Sequence, residues 1–317
     1  MKWFVFFIVF VSSNSFSIVE SSIPGVRAHH SLVYDEEAKA IILTGGSTPL
    51  DGGNSFKFYN DVWRFNGNHW VLIGQAGDER SGISLAYDTK RKRIHSFGGF
   101  TSDNRSRSEF RILENNEWKD LPAPGFTAAE SGLAYDENRD KFIVFGGSGE
   151  ELNGETWEWD GKEWKRFEGS GPEPRQAFAM VYDVKRKKTI IFGGLGKNRP
   201  ASIFNDTWEF DGMQWTKVAD NGPSGRASCG FAYDSDKGQM IVFGGMTKDG
   251  FVNDTWSWDG EEWKKIADNG PMKRAMGYLA YDKERKKIVM FGGRLGWPND
   301  TNDTWEWDGK QWNELHF

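Results

Sequence analysis

Arginine recurs at a fixed distance before a tyrosine along this chain of 317 residues. Five arginines each stand seven residues ahead of a Tyr-Asp pair: Arg27, Arg80, Arg175, Arg226 and Arg274. A repeat that gathers guanidinium groups could form an anion-binding ring, because each group offers a planar fork of donors to a carboxylate or phosphate. Structural ion pairs are the alternative, since acidic residues recur at Asp61, Glu109, Glu155, Asp206, Asp254 and Asp303. The spacing is consistent with both uses of the arginines.

One repeat departs from the arginine pattern. Ala128 stands where the arginine is expected, and Glu130 follows two residues later. His29 and His30 occupy the matching segment of the first repeat. A carboxylate and an imidazole are the residue types of a general acid–base site, but nothing in their spacing requires one. Neutral drift explains the departure equally well, so no catalytic residue is assigned.

Six similar units of about 50 residues carry these side chains. Each unit has a Tyr-Asp pair, an apolar run ending in Gly-Gly, a Trp-rich strand, a turn and a further Trp. In the fourth unit, residues 206–210 alternate with a period of two, and Asp211-Gly212 predicts a type I′ hairpin. Four such antiparallel strands form one blade, and a ring of blades buries both faces of each sheet. The sequence therefore predicts an all-β, six-bladed β-propeller.

The repeats resemble those of the kelch family over about residues 24–317. The shared features are the double glycine, a third-strand aromatic residue and the fourth-strand Trp. The double glycines begin at Gly45, Gly98, Gly146, Gly193, Gly244 and Gly292. The fourth-strand tryptophans are Trp70, Trp118, Trp164, Trp215, Trp263 and Trp312. The resemblance implies kelch-type blades at about 27–74, 80–122, 128–168, 175–219, 226–267 and 274–317. It also implies that the first-strand arginines can face a ligand.

Short turns and long loops should lie on opposite faces of this ring. The loops between the second and third strands differ in every repeat: 47–60, 100–108, 148–154, 195–205, 246–253 and 294–302. We call their face the variable face, and we expect the ligand to bind there because binding sites are usually built on variable loops. Its candidate contacts, besides Glu130 and the five arginines, are Trp297, Arg294, Tyr59 and Phe100. The expected ligand is a protein, a peptide or an anionic saccharide.

Residues 1–17 have the composition of a signal peptide. Lys2 precedes an apolar stretch at 4–11 that is too short to span a bilayer, and Ser15 and Ser17 form a small-x-small cleavage site. We therefore predict a secreted or periplasmic protein without stable membrane insertion after cleavage. Each terminal blade supplies its own four strands, so the ring should close by packing alone, unless residues 18–23 add an outer strand.

Composition limits the other classes of function. A net charge of −6 argues against a general nucleic-acid binder. The lone Cys229 excludes an intrachain disulfide and is expected to be buried and inert. No metal, cofactor or stable oligomer is indicated, and a monomer is the simplest expectation.

Two enzymatic kelch groups provide the alternative to a binding protein. The copper radical oxidases need a Tyr-Cys crosslink and two histidines, and this chain shows no such set. Periplasmic sialic-acid mutarotases are similar in blade number and signal peptide. That resemblance implies acid–base groups and an arginine near the pore, which Glu130, His29, His30, Arg27 and Arg80 could supply. The sequence favours a binding protein over this enzyme.

Overall fold

The computed structural model describes residues 23–75, 77–198 and 201–317, and it consists of six four-stranded antiparallel sheets. Each sheet uses its strands in chain order, and the first strands of neighbouring blades adjoin one another around a central channel. The first strand of blade 6 lies beside that of blade 1, which completes the ring. The predicted six-bladed β-propeller is confirmed. Among the described residues, no helix is long and apolar enough to cross a membrane.

The strands of the first three blades have the following bounds. Blade 1 contains β1 (Ser31–Asp35), β2 (Ala40–Thr44), β5 (Asp61–Phe65) and β6 (Trp70–Gln75), with a small hairpin of β3 (Ser47–Leu50) and β4 (Ser55–Phe58). Blade 2 contains β7 (Ser84–Asp88), β8 (Arg93–Phe97), β9 (Phe110–Glu114) and β10 (Glu117–Leu121). Blade 3 contains β11 (Gly132–Asp136), β12 (Lys141–Phe145), β13 (Thr156–Trp159) and β14 (Trp164–Arg166).

The other three blades repeat this plan. Blade 4 contains β15 (Ala179–Asp183), β16 (Lys188–Phe192), β17 (Thr207–Phe210) and β18 (Trp215–Ala219). Blade 5 contains β19 (Gly230–Asp234), β20 (Gln239–Phe243), β23 (Thr255–Trp258) and β24 (Trp263–Ala267), with a small hairpin of β21 (Met246–Thr247) and β22 (Gly250–Phe251). Blade 6 contains β25 (Tyr278–Asp282), β26 (Lys287–Gly296), β27 (Asn299–Trp307) and β28 (Trp312–Leu315).

The Tyr-Asp pair ends each first strand and fixes the turn that follows. In blade 4, Oδ1 of Asp183 accepts hydrogen bonds from the backbone amides of Lys185 (3.0 Å) and Arg186 (2.9 Å). The hydroxyl of Tyr233, in blade 5, donates to the same oxygen at 2.5 Å. The aspartate thus caps its own turn while the tyrosine of the next blade binds to it.

The double glycine is required where the backbones of neighbouring blades approach each other closely. Gly193 and Gly194 have φ angles of 72° and 107°, which favour glycine. A Cβ on Gly193 would lie only 2.5 Å from the carbonyl oxygen of Arg226 in blade 5. A side chain at this position would collide with the backbone of the next blade.

The hydrophobic core lies between the blades. Trp159, Trp258 and Trp307 are between 1% and 6% exposed. Fourth-strand tryptophans also donate across the interfaces, as Nε1 of Trp215 does to Oγ1 of Thr156 at 2.9 Å. Trp70 donates in the same way to Thr304 at 3.0 Å and so joins blade 1 to blade 6. Each terminal blade is built from its own strands within the described residues; an outer strand at 18–22 lies outside them.

The structure corrects the predicted type of one turn. The Asp211-Gly212 turn is not type I′, because four residues separate Phe210 from Trp215 and only Gly212 of the Asp-Gly pair has a positive φ. Oδ1 of Asp211 instead accepts from the amides of residues 213 and 214. The type I′ pattern of two consecutive positive φ angles occurs at Asn115-Asn116 in blade 2.

The Gly-Gly pair of blade 6 does not stop its strand. β26 runs through Gly292-Gly293 to Gly296, with register shifts between Phe291 and Gly293 and again between Arg294 and Gly296. Bulges let the strand bend at the glycines and still pair with β27. The hairpin therefore continues onto the variable face and ends at Trp297-Pro298.

Candidate functional site

The loops of the variable face are anchored by one repeated backbone bridge. In each blade, the residue after the first-strand arginine position pairs with the residue after the double glycine. The pairs are Ala28–Ser47, Ser81–Phe100, Ala129–Ser148, Gln176–Leu195, Ala227–Met246 and Ala275–Arg294. This bridge fixes where Phe100 and Arg294 leave the sheet. Blades 1, 5 and 6 extend their loops as ordered hairpins, which the sequence alone did not predict.

The first-strand arginines are buried in ion pairs within their own blades. In blade 4, Nη1 and Nη2 of Arg175 bind the two carboxylate oxygens of Asp206 at 2.6 and 3.0 Å. Nη1 also donates to the carbonyl of Gly193 at 3.0 Å. The pairs Arg27–Asp61, Arg226–Asp254 and Arg274–Asp303 have the same two-bond geometry. Of the two uses of the arginines, the contacts are those of structural pairing.

The aspartate in each of these four pairs also accepts a hydrogen bond from a tryptophan. Nε1 of Trp208 donates to Oδ2 of Asp206 at 2.7 Å. Burial alone would raise the pKa of Asp206, but the hydrogen bonds from Arg175 and then from Trp208 outweigh burial and lower the pKa. A ligand could reach the buried Arg175, which has no exposed surface, only by breaking this unit.

Blades 2 and 3 depart from the pairing rule, although the arginine pattern of the sequence marked only blade 3, by its missing arginine. Arg80 makes two bonds to Asp78, at 2.8 and 2.7 Å, and a single bond to Glu109 at 3.1 Å. In blade 3, which lacks the arginine, Glu155 accepts from Arg166 of the outer strand at 2.7 Å. The asymmetry of the repeats is therefore concentrated in these two adjacent blades.

Six residues, one from each blade, form a closed ring of backbone hydrogen bonds. Each lies just before the first strand of its blade. We call them the mouth ring: His29, Gly82, Glu130, Ala177, Ser228 and Met276. All six have left-handed φ angles between 51° and 62°. Each amide donates to the carbonyl of the preceding blade's member at 2.7 to 3.2 Å, and His29 completes the circle by donating to Met276. The mouth ring frames the channel at the variable face.

The mouth ring brings together Glu130 and His29, two residues that the sequence singled out. Nδ1 of His29 lies 3.0 Å from Oε1 of Glu130, and each side chain is 13% exposed. The two atoms are close but are not aligned as a hydrogen bond. Gly82 lies between them in the ring, where a Cβ would come within 3.2 Å of Cγ of Glu130. The missing side chain of Gly82 lets blades 1 and 3 meet across blade 2.

His30 is separated from this pair. Its side chain is fully buried and packs edge-on against Tyr278 and Phe291, at centroid distances of 5.7 and 5.5 Å. Burial, and then the charge of Arg27, hold the pKa of His30 well below its usual range. The structure therefore leaves His30 out of a surface site.

A row of aromatic side chains leads from the rim of the variable face to the mouth ring. Trp297 contacts Phe56 (5.6 Å between centroids), Phe56 contacts Phe58 (6.4 Å), and Phe58 contacts Phe100 (5.8 Å). Phe100 in turn lies edge-on to His29 at 6.2 Å. We call these four aromatic residues the aromatic track. Trp297 and Phe56 are 57% and 44% exposed, so the outer half of the track is open to solvent.

The two remaining candidates, Arg294 and Tyr59, are buried and not exposed to a ligand. Arg294 is 8% exposed, makes two bonds to the buried Asp300 at 2.7 and 3.1 Å, and lies 5.0 Å from the ring of Trp297. Tyr59 is also buried, and Arg27 stacks on its ring at 3.8 Å. The sequence did not single out Leu50, which is 43% exposed on the same hairpin as Phe56. In the pairing of β3 with β4, Pro49 lies opposite Phe56 and Leu50 lies opposite Ser55, so Leu50 is on the other side of the hairpin from Phe56.

Below the mouth ring, the channel contains two cavities. One of about 60 Å³ lies directly beneath Gly82, Glu130 and Ala177, and one of about 220 Å³ opens towards the opposite face. An apolar ring lines both cavities: Leu32, Leu85, Leu133, Met180, Phe231 and Leu279. In the described part of the chain, no group of three or more His, Cys, Asp or Glu side chains could hold a metal.

These features define a six-bladed β-propeller whose longer, variable loops lie on one face. The family model of the KLHDC2/KLHL20/DRC7 Kelch-repeats domain matches residues 132–316. The match covers more than half of the 317 residues, and the chain belongs to the kelch-repeat family. Propellers of this family act generally in protein interactions. No curated protein matches the chain.

Proposed function

We propose that this propeller is a protein-binding module that docks a protein or peptide on its variable face, with Trp297 and Phe56 as the apolar anchor. The observation that carries the proposal is the exposure of these two rings, 57% and 44%, in mutual contact at the end of the aromatic track. Aromatic residues are enriched at the centres of protein interfaces, and tryptophan is the commonest hot-spot residue.

The anchor is held rigidly before any partner binds. A Cβ on Gly53 would lie 2.6 Å from Cζ2 of Trp297, so the blade 1 hairpin packs closely against the indole. Arg294 lies beneath the same ring and is fixed by its pair with Asp300. A preorganised aromatic side chain loses little conformational entropy on binding, which favours its use as an anchor.

The experiment is quantitative co-purification with three forms of the propeller. The double variant Trp297→Ala/Phe56→Ala removes the anchor, and Met213→Ala is the matched control, since Met213 is 83% exposed on a turn of the opposite face. We expect a partner that the unaltered protein and the control retain equally and that the double variant loses. Titration of that purified partner should then show at least about 30-fold weaker binding to the double variant. Equal binding by all three forms would refute the proposal.

An anionic saccharide is less well supported as the ligand. It would need exposed cations at the channel mouth, whereas four of the five first-strand arginines are fully or almost fully buried and the fifth is 5% exposed. A protein or peptide needs only the apolar anchor and polar groups around it. We therefore place the saccharide second among the ligands.

A carbohydrate-active enzyme is the second candidate function. The observation in its favour is the 3.0 Å approach of His29 to Glu130, since a carboxylate beside an imidazole is suited to proton transfer. Its test is the exchange rate between sialic-acid anomers, followed by proton NMR. If the propeller is this enzyme, Glu130→Gln should abolish an acceleration seen with the unaltered protein, at an unchanged melting temperature. An exchange rate equal to that in buffer would remove this candidate.

We also propose that the propeller acts outside the cytosol. The support is the pattern of residues 1–17, which lie outside the described residues, and in particular the short apolar stretch at 4–11. N-terminal sequencing of the protein recovered from the periplasm or medium should give a chain that begins near residue 18. Deletion of residues 4–11 should retain the protein inside the cell. Recovery of uncleaved protein from the cytosol would contradict the proposal.

A further inference from the structure

We infer that the mouth ring holds a binding site for a cation of the partner, an ammonium or guanidinium group, formed by Glu130 and Phe100. The inference deepens the proposed function, because it names the chemistry that a ligand on the variable face would bring to the channel. The site is distinct from the apolar anchor at Trp297 and lies at the inner end of the aromatic track.

The first argument concerns charge. The carboxylate of Glu130 is largely buried, and the ion-pair partner that the described residues give it is the imidazole of His29. An imidazole is a conditional counter-charge, since it is cationic only when both nitrogens are protonated. The neighbouring Arg27 and Arg80 are committed to Asp61 and to Asp78 and Glu109. A ligand with a permanent positive charge would therefore supply the counter-charge that the carboxylate of Glu130 lacks.

The second argument concerns the shape of the mouth. Phe100 and Glu130 converge over Gly82, because a Cβ on that glycine would lie 3.1 Å from Cε1 of Phe100 and 3.2 Å from Cγ of Glu130. An aromatic ring beside a carboxylate is the arrangement that binds an ammonium or guanidinium group, through charge and through the quadrupole of the ring. The carboxylate equally disfavours an anion at this position.

The third argument concerns the asymmetry of the mouth ring. Blades 4 to 6 contribute Ala177, Ser228 and Met276, which carry no charge. The acid and the aromatic ring both come from blades 2 and 3, the two blades that also depart from the pairing of arginine with a third-strand acid. A peptide whose apolar residue binds at Trp297 would follow the track inward and present its cation to one side of the channel.

The test uses small probes and the full propeller, with the five histidines labelled with ¹³C at Cε1. The His29 signal is assigned from its loss in His29→Asn. Phenethylammonium, which carries a charge and a ring, is titrated at pH 7.5, and neutral 2-phenylethanol is the matched ligand control. Glu130→Gln removes the carboxylate, and Glu155→Gln is the matched protein control, because Glu155 lies in the same blade but is paired with Arg166.

We expect a saturable shift of the His29 signal with the ammonium, at least tenfold weaker binding to Glu130→Gln, and unchanged binding to Glu155→Gln. N-acetyl-lysine N-methylamide and glycine N-methylamide then distinguish a side-chain cation from a terminal amine. An equal shift with 2-phenylethanol, or no shift with the ammonium, would overturn the inference even if Glu130→Gln does not fold. Neither result would affect the anchor, because the anchor is tested separately at Trp297 and Phe56.

Discussion

The backbone amide nitrogen of His29 lies 3.2 Å from the carbonyl oxygen of Met276, and this hydrogen bond closes the mouth ring between the first blade and the last. Within the described residues, no strand is shared between these two blades. Two further backbone hydrogen bonds join these blades, from the amide of Arg27 to the carbonyl of Thr301 at 3.2 Å and from the amide of Gly293 to the carbonyl of Arg27 at 3.0 Å. Side chains add others, such as the 3.0 Å bond from Trp70 to Thr304. The junction of blades 1 and 6 is thus the one interface without a covalent connection, and we expect the ring to open there first.

The variant Thr304→Val tests this expectation. It removes the acceptor of the buried Nε1 of Trp70, so the free energy of unfolding should fall by about 1–3 kcal/mol. Thr156→Val removes the equivalent bond to Trp215 between blades 3 and 4, and is the matched control. In hydrogen exchange, Thr304→Val should expose amides of blades 1 and 6 preferentially. Similar hydrogen exchange in both variants would show that the interface of blades 1 and 6 is as stable as the interface of blades 3 and 4.

The structural role of the arginines predicts a large loss of stability. Arg175→Met leaves the carboxylate of Asp206 buried without its cation, which should lower the free energy of unfolding by about 3–5 kcal/mol. Arg166→Met is the control: Arg166 also pairs with an acid of a third strand, but its side chain is 45% exposed, so the loss should stay below about 1 kcal/mol. Denaturant unfolding measures both. A loss of ligand affinity without a loss of stability in Arg175→Met would instead favour the anion-binding role.

Most of the fold was predictable because each blade must satisfy the same contacts. The double glycine, the first-strand arginine and the third-strand acid recur because each meets a neighbouring strand or blade at a fixed position. Gly193, for example, must admit the backbone of Arg226, so its identity is set by packing. A requirement repeated around the ring becomes visible in a single sequence as a period.

The candidate site was predictable only in part, because its geometry depends on contacts between distant blades. His29, Glu130 and Met276 adopt positive φ angles without being glycine, so no glycine signal marks the mouth ring. The approach of His29 to Glu130 across Gly82 follows from the ring of backbone bonds, which sequence spacing does not encode. Trp297 was identified as an exposed aromatic residue, but its contact with Phe56 required the two hairpins to be seen together.

Buried histidine makes stability depend on pH. Burial lowers the pKa of His95 to about 4, and the ring packs against Phe110 and Phe142. The unfolded chain binds a proton near pH 6.5 and the folded chain only near pH 4, so this group destabilises the fold as the pH falls through that window. The free energy of unfolding falls by about 3 kcal/mol in all. The loss is complete near pH 4 and does not grow at lower pH.

His95→Phe should remove this dependence and flatten the decline in melting temperature between about pH 6.5 and pH 4. His69→Phe is the control, because His69 is exposed on a turn and its replacement should leave the profile unchanged. The acids paired with arginine contribute to acid unfolding in both variants, so only the difference between the profiles reports on His95. Parallel profiles for the two variants would contradict the prediction.

Cys229 provides a probe for the interface between blades 4 and 5. Its side chain packs with Phe192 of blade 4 and Trp258 of blade 5, is 2% exposed, and has a pKa that burial raises to about 11. The thiolate is the reactive form, so iodoacetamide at pH 8 should not modify the native protein but should modify it in denaturant. Mass spectrometry of the intact chain follows the reaction.

The rate of this alkylation should depend on which interface is weakened. Thr207→Val removes the acceptor of the 2.9 Å bond from Trp263, at the same interface as Cys229, and should accelerate the reaction. Thr304→Val acts at the distant closure, where local opening leaves blades 4 and 5 packed, and should accelerate it much less. If both variants react at the same rate, the blades do not separate locally and the propeller opens only as a whole.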